Sequence, residues 1–369
     1  MTKFLQRWRK TNLIVLLLVI LSWSLSTVWW TPVSWAALPA GNAITDGKSL
    51  LQYALPIDNQ PVRQLQASLE DIATQLRANR RWGAMSSDLS KASTVLNDRV
   101  KELLASVPPS RQPQAQALIA DLKTGIASLR ESVDAKDKNQ IWEGRAKLLN
   151  LVGQLEEFMV QRFPFEVPPE YSNLPQLKGR ATVEMTTNKG NITLVVDGYS
   201  APVTAGNFVD LVQRGFYNGL EFIRQEDSYV LQIGDPPGPE QGFIDPKTGK
   251  YRAIPLEVLA KGDPAPTYGI TLEDAGRYRD QPVLPFSAYG TVAMARPEFE
   301  PNGGSSQFFF FLFEPELTPA GRNLLDGRYT VFGYVTEGKE VLEKLKAGDK
   351  VESAKVVQGI DNLVEPQAA

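Results

Sequence analysis

The segment Asn302-Gly-Gly-Ser-Ser-Gln-Phe-Phe-Phe-Phe-Leu312 constrains the fold of this chain more than any other. Four consecutive phenylalanines have a strong strand preference, and the glycine pair before them permits a tight backbone entry. Side chains alternate across a strand, so Gln307, Phe309 and Phe311 share one face while Ser306, Phe308 and Phe310 share the other. On its own such a run reads as a core strand, because short apolar runs usually are. One face nevertheless sets an amide beside a phenyl ring, a hydrogen-bonding group next to a ring-sized apolar slot.

A chain of 369 residues exceeds one ordinary core and implies two domains. It has neither cysteine nor histidine, so disulfides, thiol chemistry, zinc fingers and Ser-His or Cys-His catalysis are excluded. No metal or cofactor constellation is visible. The N-terminus has the three parts of a secretory signal over residues 1–36: basic Lys3, Arg7, Arg9 and Lys10, the apolar run Leu13 to Leu21, and a small-x-small site at Ser34-Trp-Ala36. An uncleaved anchor is the alternative, because apolar character continues through Trp29-Trp30. Removal of the four basic residues leaves 35 basic against 42 acidic side chains, a net of −7. That balance argues against nucleic acid or an anionic membrane surface as partner.

From about residue 42 to 162 the pattern is helical. Val62, Leu65, Leu69, Ile72 and Leu76 follow the spacing of a packed helix, and Leu89, Ala92, Leu96, Val100 and Leu103 form a second face. Pro108-Pro109 stops that helix, and Ser110 is placed to cap the next. Leu118, Leu122, Ile126 and Leu129 give a third, and Ile141, Leu148, Val152, Leu155 and Met159 a fourth. Four amphipathic helices on short loops predict an up-and-down bundle. Prolines 164, 168, 169 and 175 then mark a stiff linker over 163–177. Alternation at Ala181, Val183 and Met185, a turn at Asn188-Lys-Gly-Asn191, and Ile192, Leu194 and Val196 predict a hairpin. Residues 235–286 form a long proline-rich insertion, and a loop of that length inside a compact domain is usually functional.

Several motifs occur in a telling order. Pro202-Val-Thr-Ala-Gly-Asn-Phe208 precedes Gly215-Phe-Tyr-Asn-Gly-Leu-Glu-Phe-Ile-Arg224 and Tyr229-Val-Leu-Gln-Ile-Gly-Asp235; Met294-Ala295 comes before the Gln-Phe run and Leu325-Asp-Gly-Arg-Tyr-Thr-Val-Phe-Gly333 after it. With these motifs the chain resembles a cyclophilin from residue 178 to about 365. The resemblance implies a multidomain α + β protein: an N-terminal four-helix bundle followed by a cyclophilin-like eight-stranded antiparallel β-barrel with two capping helices.

It also implies peptidyl-prolyl cis-trans isomerisation. That reaction needs no nucleophile, because its barrier of ~18–20 kcal/mol is the loss of amide resonance during rotation. A catalyst favours the twisted amide: a fixed guanidinium donates to the proline nitrogen, an amide holds the rotating carbonyl, and an apolar slot grips the ring. Arg224, Gln307 and Phe309 match the family positions for these roles. Gln232 matches a second amide that orients the arginine, and Tyr229, Val230, Arg296, Leu325 and Tyr329 match substrate-binding positions. No cofactor is implied. Ile223, Leu324, Tyr329 and Arg296 stand where the family commonly has histidine, tryptophan, histidine and asparagine, so weak cyclosporin binding is expected.

Signal, helical segment, proline-rich linker and insertion-bearing barrel together resemble the thylakoid-lumen cyclophilins, whose helical part is PsbQ-like. The resemblance implies an exported protein of the lumen, with the periplasm as alternative, that is peripheral to the thylakoid membrane at most. Its partners would be X-Pro-containing clients, photosystem II subunits among them, whose assembly and stability it supports. A catalytically weak cyclophilin-fold chaperone that binds thylakoid membrane protein clients is the competing function.

Overall fold

The computed structural model describes residues 44–78, 81–226, 229–246, 248–313 and 323–366; the expected signal at 1–36 lies outside them. Six helices come first: α1 (Gly47–Ala54), α2 (Gln60–Arg77), α3 (Trp82–Asp98), α4 (Val100–Ala105), α5 (Gln112–Asp134) and α6 (Lys138–Met159). Helix α2 starts where Asn59 accepts a hydrogen bond from the Val62 N–H, and α6 where Asp137 accepts from Asn139 and Gln140. Helix α2 packs on α3 and α6, and α5 packs on the same two. Their shared core holds the expected stripes, with Leu65, Leu69, Ile72, Leu89, Leu96, Leu122, Val152 and Leu155 all buried.

Two local expectations fail. The second helix does not run through Leu103 but breaks at Arg99, whose backbone leaves the helical region while its guanidinium forks onto Glu102 and reaches Gln64. Ser110 caps nothing: it sits inside a short 3₁₀ turn, Pro109–Arg111, and α5 begins without a side-chain cap, with a proline in its first turn.

The remaining chain forms β1 (Gln176–Leu177), β2 (Arg180–Thr187), β3 (Gly190–Asp197), α7 (Pro202–Gln213), β4 (Arg224–Glu226), β5 (Val230–Ile233), β6 (Ile244–Asp245), β7 (Lys250–Tyr251), β8 (Glu257–Val258), β9 (Thr267–Tyr268), β10 (Thr291–Met294), β11 (Phe308–Phe311), β12 (Val331–Glu337), α8 (Lys339–Leu342), β13 (Val351–Gln358) and β14 (Leu363–Val364). A curled antiparallel sheet runs in the order β13-β2-β3-β12-β10-β11-β5-β4. Its two ends approach each other through a bridge between Glu221 and Lys350. Helix α7 is buried along nearly its whole length, and its Phe208 meets Phe308 edge-on at 5.1 Å. The second expected capping helix is the single turn α8.

Alternation along β11 divides the phenylalanines. Phe308 and Phe310 enter the main core with Phe222 and Phe332, whereas Phe309 and Phe311 join a second cluster on the opposite face of the sheet. That second cluster includes Leu50, Leu51 and Ala54 of α1. So α1 docks on the sheet rather than among the other helices, with Gly47 so close to Tyr334 that a β-carbon would lie 2.7 Å from the β-carbon of that tyrosine. Arg180 secures it by pairing with Asp197 at 2.6 Å and donating to the Leu51 carbonyl. On its other side α1 meets the helical region: Gln52 donates to the Leu149 carbonyl, and Arg63 donates to the Gln52 carbonyl while pairing with Glu156 at 2.9 Å.

The insertion is not a structureless loop. Strands β6 and β7 pair, as do β8 and β9, and two buried ionisable side chains pin them to α7. Glu257 accepts from the backbone N–H groups of Val203 and Thr204 and from the Thr204 hydroxyl. Arg252 pairs with Asp210 and lies over the Phe243 ring at 4.5 Å.

Candidate active site

On the outer face of the sheet, strand register builds a row across four strands. Arg224 of β4 is the partner of Gln232 of β5, Gln232 is the partner of Phe309 of β11, and Phe309 is the partner of Ala293 of β10. Arg224 is exposed, Gln232 half-buried and Phe309 only 6% exposed. Gln307 lies just before β11 on the same face as Phe309, as alternation requires.

These residues line one cleft of about 460 Å³. Every position expected from the sequence is in it: Arg224, Gln307, Phe309, Tyr229, Val230, Gln232, Arg296, Leu325 and Tyr329. Phe309 forms an apolar wall, with Tyr329 against it edge-on at 5.6 Å. Tyr229 meets Phe311 edge-on at 5.4 Å, which ties that wall to the outer cluster. Arg296 sends its guanidinium into the protein's own backbone: it donates to the carbonyls of Arg328, Pro297 and Glu298 and lies 5.0 Å over the Tyr329 ring. Its side chain therefore fixes two loops at the rim.

The amides form a directed chain. Gln232 Nε2 donates to Gln307 Oε1 at 2.7 Å; Gln307 Nε2 donates to Asp235 Oδ1 at 2.9 Å and to the Gln241 carbonyl at 2.8 Å. Sequence reasoning missed Asp235, Gln241, Tyr251 and Ser305. Gln241 and Tyr251 come from the insertion, so part of the insertion is cleft wall, while among the described residues none from the helical region lines it. Asp235 carried a usable signal. Gly234 before it has φ 106°, and a β-carbon there would lie 2.2 Å from the Ser306 carbonyl oxygen, so the strand end must pass hard against the approach to β11. That close passage brings the residue after the glycine within hydrogen-bond distance of Gln307.

Chemically the cleft offers a guanidinium, neutral amides and a ring-sized apolar wall. These groups can hold a peptide and donate hydrogen bonds.

Comparison with known proteins identifies the family of the chain. Residues 182–364 match the family described as cyclophilin type peptidyl-prolyl cis-trans isomerase/CLD, and residues 46–160 match the PsbQ-like domain of the CYP38-like peptidyl-prolyl cis-trans isomerases. A putative thylakoid lumen peptidyl-prolyl cis-trans isomerase of Synechocystis is 58% identical over 97% of this chain and 96% of its own length. The chloroplastic peptidyl-prolyl cis-trans isomerase CYP38 of Arabidopsis thaliana is 45% identical over 90% of this chain and 78% of its own. A crystal structure of a Cryptosporidium parvum cyclophilin with the dipeptide Ala-Pro is 22% identical, with a TM-score of 0.34 over 48% of this chain and 99% of that one. The protein belongs to the cyclophilin-type peptidyl-prolyl cis-trans isomerases. Within that class it carries the helical region of the CYP38-like members ahead of the isomerase part.

Proposed function

We propose that this enzyme isomerises X-Pro bonds in exported clients through Arg224, Gln307 and Phe309. The reading rests on the convergence of these three side chains, one from β4 and two from the start of β11, on one cleft. Arg224 donates to the proline nitrogen as the amide twists and its lone pair returns, Gln307 holds the neighbouring carbonyl, and Phe309 grips the pyrrolidine ring. Tyr229, Val230, Gln232, Leu325 and Tyr329 wall the substrate, while the Arg296 side chain fixes the rim and its backbone faces the client.

In the same reading the chain divides into a signal (1–36), a PsbQ-like four-helix bundle (42–162), a linker (163–177) and a closed eight-stranded barrel (178–365) with its insertion at 235–286. The lumenal names of the relatives, and the signal expected at the N-terminus, support a site of action in the thylakoid lumen, with photosystem II subunits among the clients. A cis/trans assay on a short X-Pro peptide is the test. Turnover by the parent that falls sharply in Arg224→Ala and in Gln307→Ala supports the enzyme. Peptide binding without turnover would leave the chaperone in its place.

A further inference from the structure

Gln307 has two amide hydrogens, and both are engaged inside the protein: one with the Asp235 carboxylate at 2.9 Å and one with the Gln241 carbonyl at 2.8 Å. Both acceptors lack hydrogens of their own, so they force the amide nitrogen, not the oxygen, to that side. The oxygen is turned to Gln232, which donates to it at 2.7 Å. Reversing the amide would set its oxygen against a carboxylate and a carbonyl together. The two acceptors differ in kind. Asp235 follows Gly234, whose backbone passes so close to Ser306 that a side chain there would clash with its carbonyl. Gln241 belongs to the insertion, after Pro236-Pro-Gly-Pro239, and presents a neutral peptide carbonyl at the cleft wall. A client chain carries that same group.

We propose that Asp235 is a positioning residue for Gln307, and that the Gln241 carbonyl holds the place a client's carbonyl takes on binding. The permanent bond to Asp235 orients the amide, and the second hydrogen passes from Gln241 to the client. The inference rests on the role given to Gln307 above. It also explains how a glutamine whose donors are already engaged can serve a substrate: a neutral acceptor exchanges for a neutral acceptor, while the charged one stays.

The test uses the full chain labelled with ¹⁵N in glutamine side chains, with the Gln307 amide signals identified by their loss in Gln307→Ala. Asp235→Ala should move one Gln307 proton towards its position in free glutamine, and a saturating Ala-Pro-containing peptide should move the other in the parent. Turnover of an X-Pro peptide should fall about ten- to a hundredfold in Asp235→Ala, the scale of one hydrogen bond to a charged group. It should stay within about threefold in Asp235→Asn, which keeps the accepting oxygen. In the Gln307→Ala background Asp235→Ala should change nothing further. Unmoved Gln307 signals in Asp235→Ala, or an equal loss of turnover with and without Gln307, would overturn the proposal. A parent that turns over no peptide would sink the proposed function alone, because the amide signals still report on Asp235.

Discussion

The ring of Phe286, at the end of the insertion, lies nearly parallel to that of Phe309, with centroids 6.1 Å apart and planes 10° from one another. Phe309 thus has Tyr329 on its edge and Phe286 on its face, both within the outer cluster. The insertion therefore contributes support behind the slot as well as wall residues at its mouth.

Phe286→Ala should loosen this slot without touching a polar group of the site. We expect a loss of stability of about 3–5 kcal/mol, as for other buried phenylalanines cut to alanine, together with a rise in KM larger than the fall in kcat. Chemical unfolding and steady-state turnover of an X-Pro peptide check both. An unchanged KM in a variant that is clearly destabilised would separate Phe286 from the slot.

Arg224→Ala should behave in the opposite way. Its side chain is exposed, so the midpoint of thermal unfolding should barely change. Turnover should drop by roughly 10²–10³, the cost of losing one transition-state donor. Parental rates in this variant would remove Arg224 from the mechanism.

Activity and stability should respond differently to pH. The chain has no histidine, and arginine and glutamine keep their charge state, so kcat/KM should be flat between about pH 5 and 8. Stability should fall over that range. Burial raises the Glu257 carboxyl to about 7 and the Glu156 carboxyl to about 8. Unfolded glutamates titrate near ~4.3, so folding favours the protonated forms. Their contribution is complete below that value and is lost as pH rises through 7 and then 8. Asp349 and Glu102, held low by Asn188 and Arg99 respectively, act only in the acid range. The unfolding midpoint measured from pH 5 to 9 should decline, and Glu257→Gln should flatten the slope whatever its absolute stability. A midpoint that rises over this interval would contradict the protonated state of both groups.

Removing everything before Leu177 should harm the barrel and leave the cleft walls in place. The cut takes away α1, whose Leu50, Leu51 and Ala54 belong to the outer cluster with Tyr334, and it removes Gln176, which pairs with Val364. The truncated chain should unfold at a lower temperature and aggregate through the bared cluster. In the full chain, Leu51→Ala should cost about 2–5 kcal/mol. A fragment as stable as the parent would show that α1 contributes no net packing.

What was legible in the sequence follows the range of the forces involved. The period-two pattern of β11 separated Phe308 and Phe310 from Phe309 and Phe311, and the helical stripes matched buried cores, because both depend on neighbours along the chain. The cleft residues were legible through resemblance, motif by motif. The break at Arg99 was not, because its guanidinium answers to Gln64 on another helix as well as to nearby Glu102. The short helix α1 is amphipathic like the others, but its apolar face answers to Tyr334, nearly the length of the chain away. Nothing in the proline-rich stretch marks Glu257, and only the fold brings it to the start of α7.

The docking of α1 also fixes an order of events. Its apolar face leaves the ribosome nearly three hundred residues before Tyr334 exists to receive it. The helices that follow can find their partners among near neighbours, while Leu50 and Leu51 must wait for almost the whole chain. During synthesis this stretch is an uncovered apolar surface, the kind that holdase chaperones protect. Completion of the outer face is therefore a late step, one that reports that both halves of the chain are present.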